Sequence, residues 1–112
     1  MSGRDPTEGD VFGALADPTR RKLLDRLSAE GPMSATELAR SYPVSRQAVV
    51  KHLSTLTGAG LLRPQRNGRE VLYGVDPSRL AEASAWLRDV GEQWDRRLDA
   101  LSEQLAGPRG SR

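Results

Sequence analysis

The sequence predicts a small, mainly α-helical fold with one small β-hairpin, and three observations support this prediction. Apolar residues recur at the three- and four-residue spacing of amphipathic helices in several segments of the 112-residue chain. The dipeptides Asp17-Pro18 and Asp76-Pro77 each combine a helix N-cap with proline at the first helical position. Asn67-Gly68 lies between two short alternating segments, as a hairpin turn does. We therefore expect helices on both sides of one hairpin.

One domain is expected from a chain of this length, and its composition excludes several classes of function. The absence of cysteine excludes disulfides, thiolate metal sites and a cysteine nucleophile. No apolar segment approaches the roughly 20 residues that span a bilayer, and charges occupy the N-terminal segment where a signal peptide is apolar. We expect a soluble, cytoplasmic protein with no membrane partner. No catalytic triad, carboxylate pair or glycine-rich phosphate loop is present, so no enzymatic activity, metal or cofactor is expected.

The net charge of +2 hides an uneven distribution along the chain. Residues 40–73 carry six basic side chains and a single acidic one, which gives +5, whereas segments 1–39 and 76–105 carry −2 and −3. A basic segment between acidic flanks is typical of a localised surface that binds a polyanion. A solvated surface without a partner is the alternative that charge alone leaves open.

Two helices are predicted in the N-terminal part of the chain. Residues 1–9 are polar and are expected to form a disordered tail. A short helix follows, and a second one begins at Asp17-Pro18 and ends near Gly31-Pro32. The apolar faces of these helices consist of Val11, Phe12 and Leu15 in the first and Leu23, Leu24 and Leu27 in the second.

Two further helices joined by a tight turn are predicted next, and together they form a helix-turn-helix. Ser34 and Glu37 make a capping box that begins the third helix, and residues 42–44 end it. Ser45 then caps a fourth helix that extends to about Thr57, before two glycines. Its buried face consists of Val49, Leu53 and Leu56, which leaves Arg46, Gln47, Val50, Lys51 and Ser54 pointing outward.

The hairpin follows the helix-turn-helix directly and is therefore predicted to be a wing. Its strands are residues 61–66 and 69–75, joined by a type I′ turn at Asn67-Gly68. Pro64 lacks a backbone N–H group, so the first strand is expected at the edge of the sheet. The second strand is expected to bury Val71, Tyr73 and Val75 on one face. The winged helix-turn-helix domain is thus predicted to span residues 10–75.

A long last helix, residues 76–106 of the same domain, carries an apolar stripe that a small core does not need. Leucine or tryptophan recurs there every seven residues, and a second copy of the chain is the simplest partner for this stripe. Gly107-Pro108 is expected to end the helix, leaving residues 107–112 as a disordered tail. The residues predicted at a homodimer interface are Val11, Phe12, Leu15, Leu80, Leu87, Val90, Trp94, Leu98 and Leu101.

The order of these elements and the amino-acid sequences of two segments resemble those of a known family. Phe12 to Arg21 reads FGALADPTRR, and Ser45 to Leu53 reads SRQAVVKHL. Over about residues 10–105 the chain resembles the ArsR/SmtB family of bacterial winged-helix repressors. The resemblance implies a homodimeric transcriptional repressor that binds a palindromic operator in double-stranded DNA. It would place the recognition helix, residues 45–57, in the major groove, use residues 61–75 as a wing, and be released by an effector.

The chain departs from the metal sensors of this family. Those proteins use Cys-x-Cys sites near the recognition motif, or His and acidic pairs between the last helices. This chain has no cysteine, and its last helix has no histidine. It therefore resembles the metal-independent branch, whose members act as autorepressors or respond to organic ligands. The resemblance thus leaves two possibilities open: an autorepressor without an effector, or a repressor that an unidentified small organic effector releases.

The first turn of a recognition helix enters the major groove, so its side chains are candidates for base contacts. The guanidinium of Arg46 has the fork geometry to pair with guanine, and a phosphate contact is the alternative. Gln47 is suited to adenine, and Val50 to the methyl group of thymine. Ser45 is expected to cap the helix and to donate to a phosphate.

Phosphate contacts are expected from five further residues. Thr36 and Lys51 lie at positions where the two helices of the motif approach the DNA backbone. Arg66 and Arg69 bracket the wing tip and would reach the minor groove or its phosphates, a solvated tip being the alternative. His52 is expected to bond to backbone or to a DNA phosphate. A metal ligand or a pH switch is the less favoured interpretation of this single histidine.

Three alternatives remain open in the sequence. Trp86 and Trp94 could line an apolar pocket for an effector or simply fill the dimer interface. The chain could be a winged-helix adapter for protein interaction without specific DNA binding, or a metal-responsive repressor. A stable homodimer that binds DNA favours the repressor over the adapter, and DNA release by zinc, nickel or arsenite would favour the metal sensor.

Overall fold

The computed structural model describes the backbone of residues 7–110 and confirms a mainly helical fold with a small antiparallel sheet. The chain divides into two compact units, the first ending at Ala81 and the second beginning at Glu82. The elements in chain order are α1 (Glu8–Leu15), α2 (Pro18–Glu30), β1 (Met33–Ser34), α3 (Ala35–Ala39), α4 (Arg46–Gly58), β2 (Leu62–Asn67), β3 (Glu70–Val75) and α5 (Pro77–Gly110).

Helix α1 begins earlier than its predicted start at residue 10. The side chain of Thr7 accepts from the backbone N–H group of Asp10, and the Asp10 carboxylate accepts from that of Thr7. This capping box satisfies two free amide donors and starts the helix at Glu8. The predicted tail, residues 1–9, therefore includes the first residues of a helix, and residues 1–6 lie outside the described part of the chain.

The corner between α1 and α2 is held by three charged side chains. The Asp17 carboxylate accepts from the backbone N–H groups of Thr19 and Arg20, at 2.7 and 3.1 Å. The hydrogen bond from the backbone N–H group of Arg20 is the main cause that lowers the pKa of Asp17 below its usual range. The bond from Thr19 acts in the same direction. The guanidinium of Arg20 donates to the carbonyl groups of Gly13 and Ala14, and that of Arg21 to the carbonyl of Leu15. Arginine thus satisfies the free carbonyls that end α1.

The predicted helix-turn-helix is confirmed as α3 and α4, which pack on each other. Ser34 and Glu37 form the expected capping box at the start of α3. Ser45 caps α4 by accepting from the N–H group of Ala48 at 3.0 Å. The core of the first unit lies beneath these helices and consists mainly of Val11, Leu23, Leu24, Leu27, Leu38, Val49, Leu53, Leu56, Leu61 and Leu62.

The sheet has three strands in the order β1-β3-β2, all antiparallel, where the sequence predicts two. The additional strand β1 is only two residues long and pairs with Leu72 and Tyr73. Strand β2 lies at an edge of the sheet, as Pro64 predicts. Proline has no N–H group to donate, and an edge strand has one side on which no ladder bond is needed.

The predicted hairpin turn is wrong by one residue. Asn67 pairs with Glu70, so Gly68 and Arg69 form the two-residue turn. Of these two turn residues, only Gly68 has a positive φ, of 65°. A type II′ turn requires a positive φ at its first central residue alone, whereas the predicted type I′ turn requires it at both. Asn67 remains extended because it continues the strand ladder.

The predicted alternation along β3 is also not observed. Every residue from Val71 to Val75 is half-buried. The reason is that β3 is the central strand and both of its faces are partly covered. On the face opposite Tyr73, a Cβ atom added to Gly74 would lie 3.3 Å from the side chain of Pro32.

Helix α5 extends to Gly110, past the predicted end at Gly107-Pro108. Proline in a last turn removes a single hydrogen bond to the carbonyl four residues earlier, and the following residues keep helical backbone angles. The last two residues of the predicted tail lie outside the described part. Within residues 7–110, no helix is both long enough and apolar enough to cross a membrane.

Candidate nucleic-acid interface

The two faces of α4 differ sharply in burial. Val49, Leu53 and Leu56 are fully buried, as their spacing predicts. On the outward face, Arg46, Gln47 and Lys51 are exposed, together with the capping residue Ser45. Val50 and His52 are half-buried at the margins of this face. The packing that fixes the helix therefore leaves its polar side chains available to a ligand.

A hydrogen bond connects two of the residues predicted to bind DNA. Nε of Arg46, at the start of α4, donates to Oγ1 of Thr36 in α3 at 3.0 Å. Both side chains are exposed. The bond joins the two helices of the motif on the side that carries the polar residues.

A cleft of about 340 Å³ separates this part of the helix-turn-helix from the wing. Four residues that the sequence predicts as DNA contacts line it together, although they come from two helices and the hairpin turn. They are Thr36, Arg46, Val50 and Arg69. The cleft also contains Glu70, which the sequence analysis did not single out, and Tyr73, which it expected only on the buried face of the second strand. Tyr73 pairs with Met33 of β1, a strand that is too short to be predicted from the sequence.

His52 and Lys51 lie elsewhere on α4, at a second hollow of about 230 Å³ that also contains Arg20. Nη1 of Arg20 is 3.3 Å from Nδ1 of His52. A guanidinium can only donate, so this contact requires Nδ1 to accept, which leaves the proton of the neutral ring on Nε2. The structure thus adds a contact with Arg20, and the expected bond of His52 to backbone or to a DNA phosphate stays a prediction.

Two arginines at the wing tip and one at its base have different surroundings. Arg66 and Arg69 are exposed on either side of Gly68. Arg63, at the base, forms an ion pair with Asp76, Nη2 to Oδ2 at 2.8 Å. The hydroxyl and backbone N–H of Ser78, and then Arg63, lower the pKa of Asp76 to about 2. Arg63 is thus held by the protein, whereas the tip arginines are placed where a ligand can reach them.

The structure brings some of the predicted contacts together and does not bring all of them into one site. The four residues of the cleft lie together, and Lys51 lies with His52. Ser45, Gln47 and Arg66 line neither hollow. Arg20 is the contact that sequence reasoning missed, and the only signal for it was its position just after the end of a helix.

The residues predicted at a dimer interface fall into two groups. Val11 is 1% exposed and belongs to the core of the single chain, so it offers a partner almost no surface. Phe12, Leu15, Leu80 and Val90 are half-buried. The remaining predicted residues are exposed on α5, with exposed fractions of 49% to 53%: Leu87, Trp94, Leu98 and Leu101.

The exposed stripe of α5 is extended by two further large side chains. Trp86 is 44% exposed and Leu105 is 72% exposed. The guanidinium of Arg97 lies 5.0 Å from the ring centroid of Trp94, within the range of a cation–π contact. In the part of the chain that the structure describes, no three His, Asp or Glu side chains form a group that could hold a metal ion.

Comparisons with known proteins identify relatives of this chain. A family model described as a helix-turn-helix domain matches residues 15–65. The HTH-type transcriptional regulator Rv2034 of Mycobacterium tuberculosis is 42% identical over 95 residues, which cover 85% of each chain. The transcriptional repressor SdpR of Bacillus subtilis is 32% identical over 89 residues, 80% of this chain and 98% of that one. An ArsR-like transcriptional regulator from Rhodococcus sp. RHA1 has a similar structure, with a TM-score of 0.76, 40% identity and coverage of 88% and 92%.

Proposed function

The chain belongs to the ArsR family of winged helix-turn-helix transcriptional regulators, and from this premise we propose that it is a homodimeric, metal-independent repressor. Each protomer places α4 in the major groove of one half of a two-fold symmetric operator. The wing tip then reaches the neighbouring backbone or minor groove. It represses its own gene or the genes beside it.

The outward face of α4 is the observation that carries this proposal. Burial of Val49, Leu53 and Leu56 orients Arg46 and Gln47 away from the core, in the first turn of the helix. These are the side chains suited to guanine and adenine edges. Lys51 and the wing arginines supply positive charge on the same motif, which sequence-independent affinity for phosphate requires.

The exposed stripe of α5 supports the homodimer. Six large apolar side chains of one helix face solvent in the single chain, and a monomer rarely leaves such a continuous patch uncovered. Leu87, Trp94 and Leu101 recur every seven residues, and so do Leu98 and Leu105, which suits packing against a second copy of the same helix. The acidic balance of residues 76–105 disfavours DNA on this helix and suits an interface between protomers.

The composition supports the absence of metal regulation. Without cysteine, the chain offers no thiolate, and Nδ1 of its single histidine contacts Arg20. A small organic effector is a possible partner, and Trp86 and Trp94 would either line its pocket at the dimer interface or only fill that interface.

Selection of binding sites from random DNA duplexes tests the proposal. The wild-type protein should enrich a palindromic motif with half-sites about 10 bp apart, centre to centre. Replacing Arg46 and Gln47 with alanine should weaken binding to the enriched duplex more than to random DNA. Replacing Arg66 and Arg69 should weaken both, because phosphate contacts carry little sequence information.

Three outcomes would contradict parts of this function. No enrichment at low salt, together with a monomer that captures a different protein, would favour the adapter. Release of the enriched duplex by micromolar zinc, nickel or arsenite would favour a metal sensor. Light scattering that gives the mass of one protomer at micromolar concentration would contradict the homodimer.

A further inference from the structure

The bond between Arg46 and Thr36 determines which edge of the guanidinium is available to DNA. Arginine has five N–H donors, one on Nε and four on the two Nη atoms. The bond to Oγ1 of Thr36 takes the donor on Nε. The end-on edge, formed by the two Nη groups, remains for a ligand, and its parallel donors match O6 and N7 of guanine.

The bond also restricts the plane of the guanidinium before DNA arrives. A phosphate accepts from several directions, so a side chain that binds only phosphate gains little from a fixed plane. A guanine edge demands two coplanar bonds, and immobilising a long side chain at that moment lowers the affinity. The restraint is therefore useful to a residue that reads a base.

Thr36 itself keeps one donor for the DNA backbone. Its hydroxyl oxygen accepts from Arg46, so its own proton is available to a phosphate oxygen. Thr36 and Arg46 line the same cleft beside the wing arginine Arg69. A phosphate held there would continue the series of bonds from DNA backbone through Thr36 and Arg46 to a base.

We infer that Arg46 reads one guanine in each half-site through its two Nη groups, and that Thr36 is the positioning residue that orients it. This assignment rests on the proposed function. It gives Arg46 a role in sequence recognition, where the sequence alone left a phosphate contact as an equal alternative.

The test uses the duplex selected by the wild-type protein, with each guanine replaced in turn by 7-deazaguanine. This base lacks N7 and still pairs with cytosine. One guanine per half-site should show a loss of affinity of about 10-fold, because a bidentate contact is broken. The variant Arg46→Ala should bind both duplexes with the same affinity. Arg46→Lys, which keeps the charge, should also lose the discrimination and keep the salt dependence.

The role of Thr36 is tested by Thr36→Val, which has nearly the same shape and no hydroxyl. It should lower the discrimination at the same guanine by about 2- to 10-fold, the cost of immobilising a free side chain. Thr36→Ser should restore it. Thr57→Val is the matched control, because the hydroxyl of Thr57 donates within α4 to the carbonyl of Leu53. Thermal unfolding of each variant checks that it is folded.

Each contrary result overturns a defined part of the inference. If Arg46→Ala weakens binding to all duplexes equally and lowers the salt dependence, Arg46 contacts phosphate and the assignment is wrong. Full discrimination in Thr36→Val removes the positioning role of Thr36. A wild-type protein that selects no sequence refutes the proposed function itself, and this assignment with it.

Discussion

The two arginines at the wing tip should contribute to DNA binding through the release of counterions. Arg66 and Arg69 are exposed on either side of Gly68, and the change to test is their joint replacement by alanine. Each phosphate contact adds about 0.9 to the slope of log affinity against log salt. For a dimer, the slope should fall by about 1.8 if one arginine per wing makes a contact, and by about 3.6 if both do.

These slopes translate into a measurable change in affinity. Raising monovalent salt from 50 to 200 mM should weaken the wild type relative to the variant by an additional factor of about 12 in the first case and about 150 in the second. Fluorescence anisotropy of a labelled duplex at four or five salt concentrations measures both slopes directly.

A charge-matched control separates local contacts from net charge. Arg26 pairs with Glu30, and Arg88 donates to Ser84, so replacing these two by alanine removes the same charge from other helices. The control should keep the wild-type slope. The reasoning is refuted if the wing variant keeps the wild-type slope, or if the control lowers it equally.

Three further predictions concern the interface and the stability of the fold. Leu98→Glu, which puts a charge into the exposed stripe of α5, should convert the dimer to a monomer in light scattering, whereas Arg96→Glu on the opposite face should not. Leu53→Ala, at a fully buried position, should lower the free energy of unfolding by about 2–5 kcal/mol in urea titrations at fixed protein concentration; a smaller loss would contradict the packing. Asp76→Asn should lower the melting temperature at pH 7. Because the pKa of Asp76 is lowered to about 2, the stabilisation is complete above its ordinary pKa near 3.8, and the difference from wild type should disappear as the pH falls through 2; a constant difference would contradict it.

The parts of the fold that could be predicted are those with local signals. Asp17, Ser34 and Ser45 each lie a few residues from the amide groups that they cap, so their roles are visible in the sequence. The buried face of α4 follows from the spacing of its apolar residues in the same way. The recognition helix was therefore predicted to within one residue.

The parts that could not be predicted depend on pairing between distant segments. Strand β1 has two residues and no period, and it exists because Met33 and Ser34 meet β3. The turn at Gly68-Arg69 is set by the register of the whole hairpin, so the dipeptide Asn67-Gly68 alone indicated the wrong turn. A register difference of one residue is not visible in a wing whose first strand is mostly exposed.

The contacts of the candidate site show the same limit. The sequence indicates that Arg46 and Thr36 are polar and exposed, but their hydrogen bond depends on how α3 and α4 cross. The contact between Arg20 and His52 joins residues 32 positions apart. Such tertiary contacts decide whether an arginine reads a base, binds phosphate or caps a helix, so residue type alone leaves these roles open.

Hydroxyl-radical footprinting of the selected duplex, with the mass of the complex measured in parallel, tests the central claim most directly. The account predicts two protomers per duplex and two protected patches related by two-fold symmetry, about one helical turn apart. One protomer per duplex, or protection spread evenly along the DNA, would contradict a dimeric repressor that reads a palindromic operator.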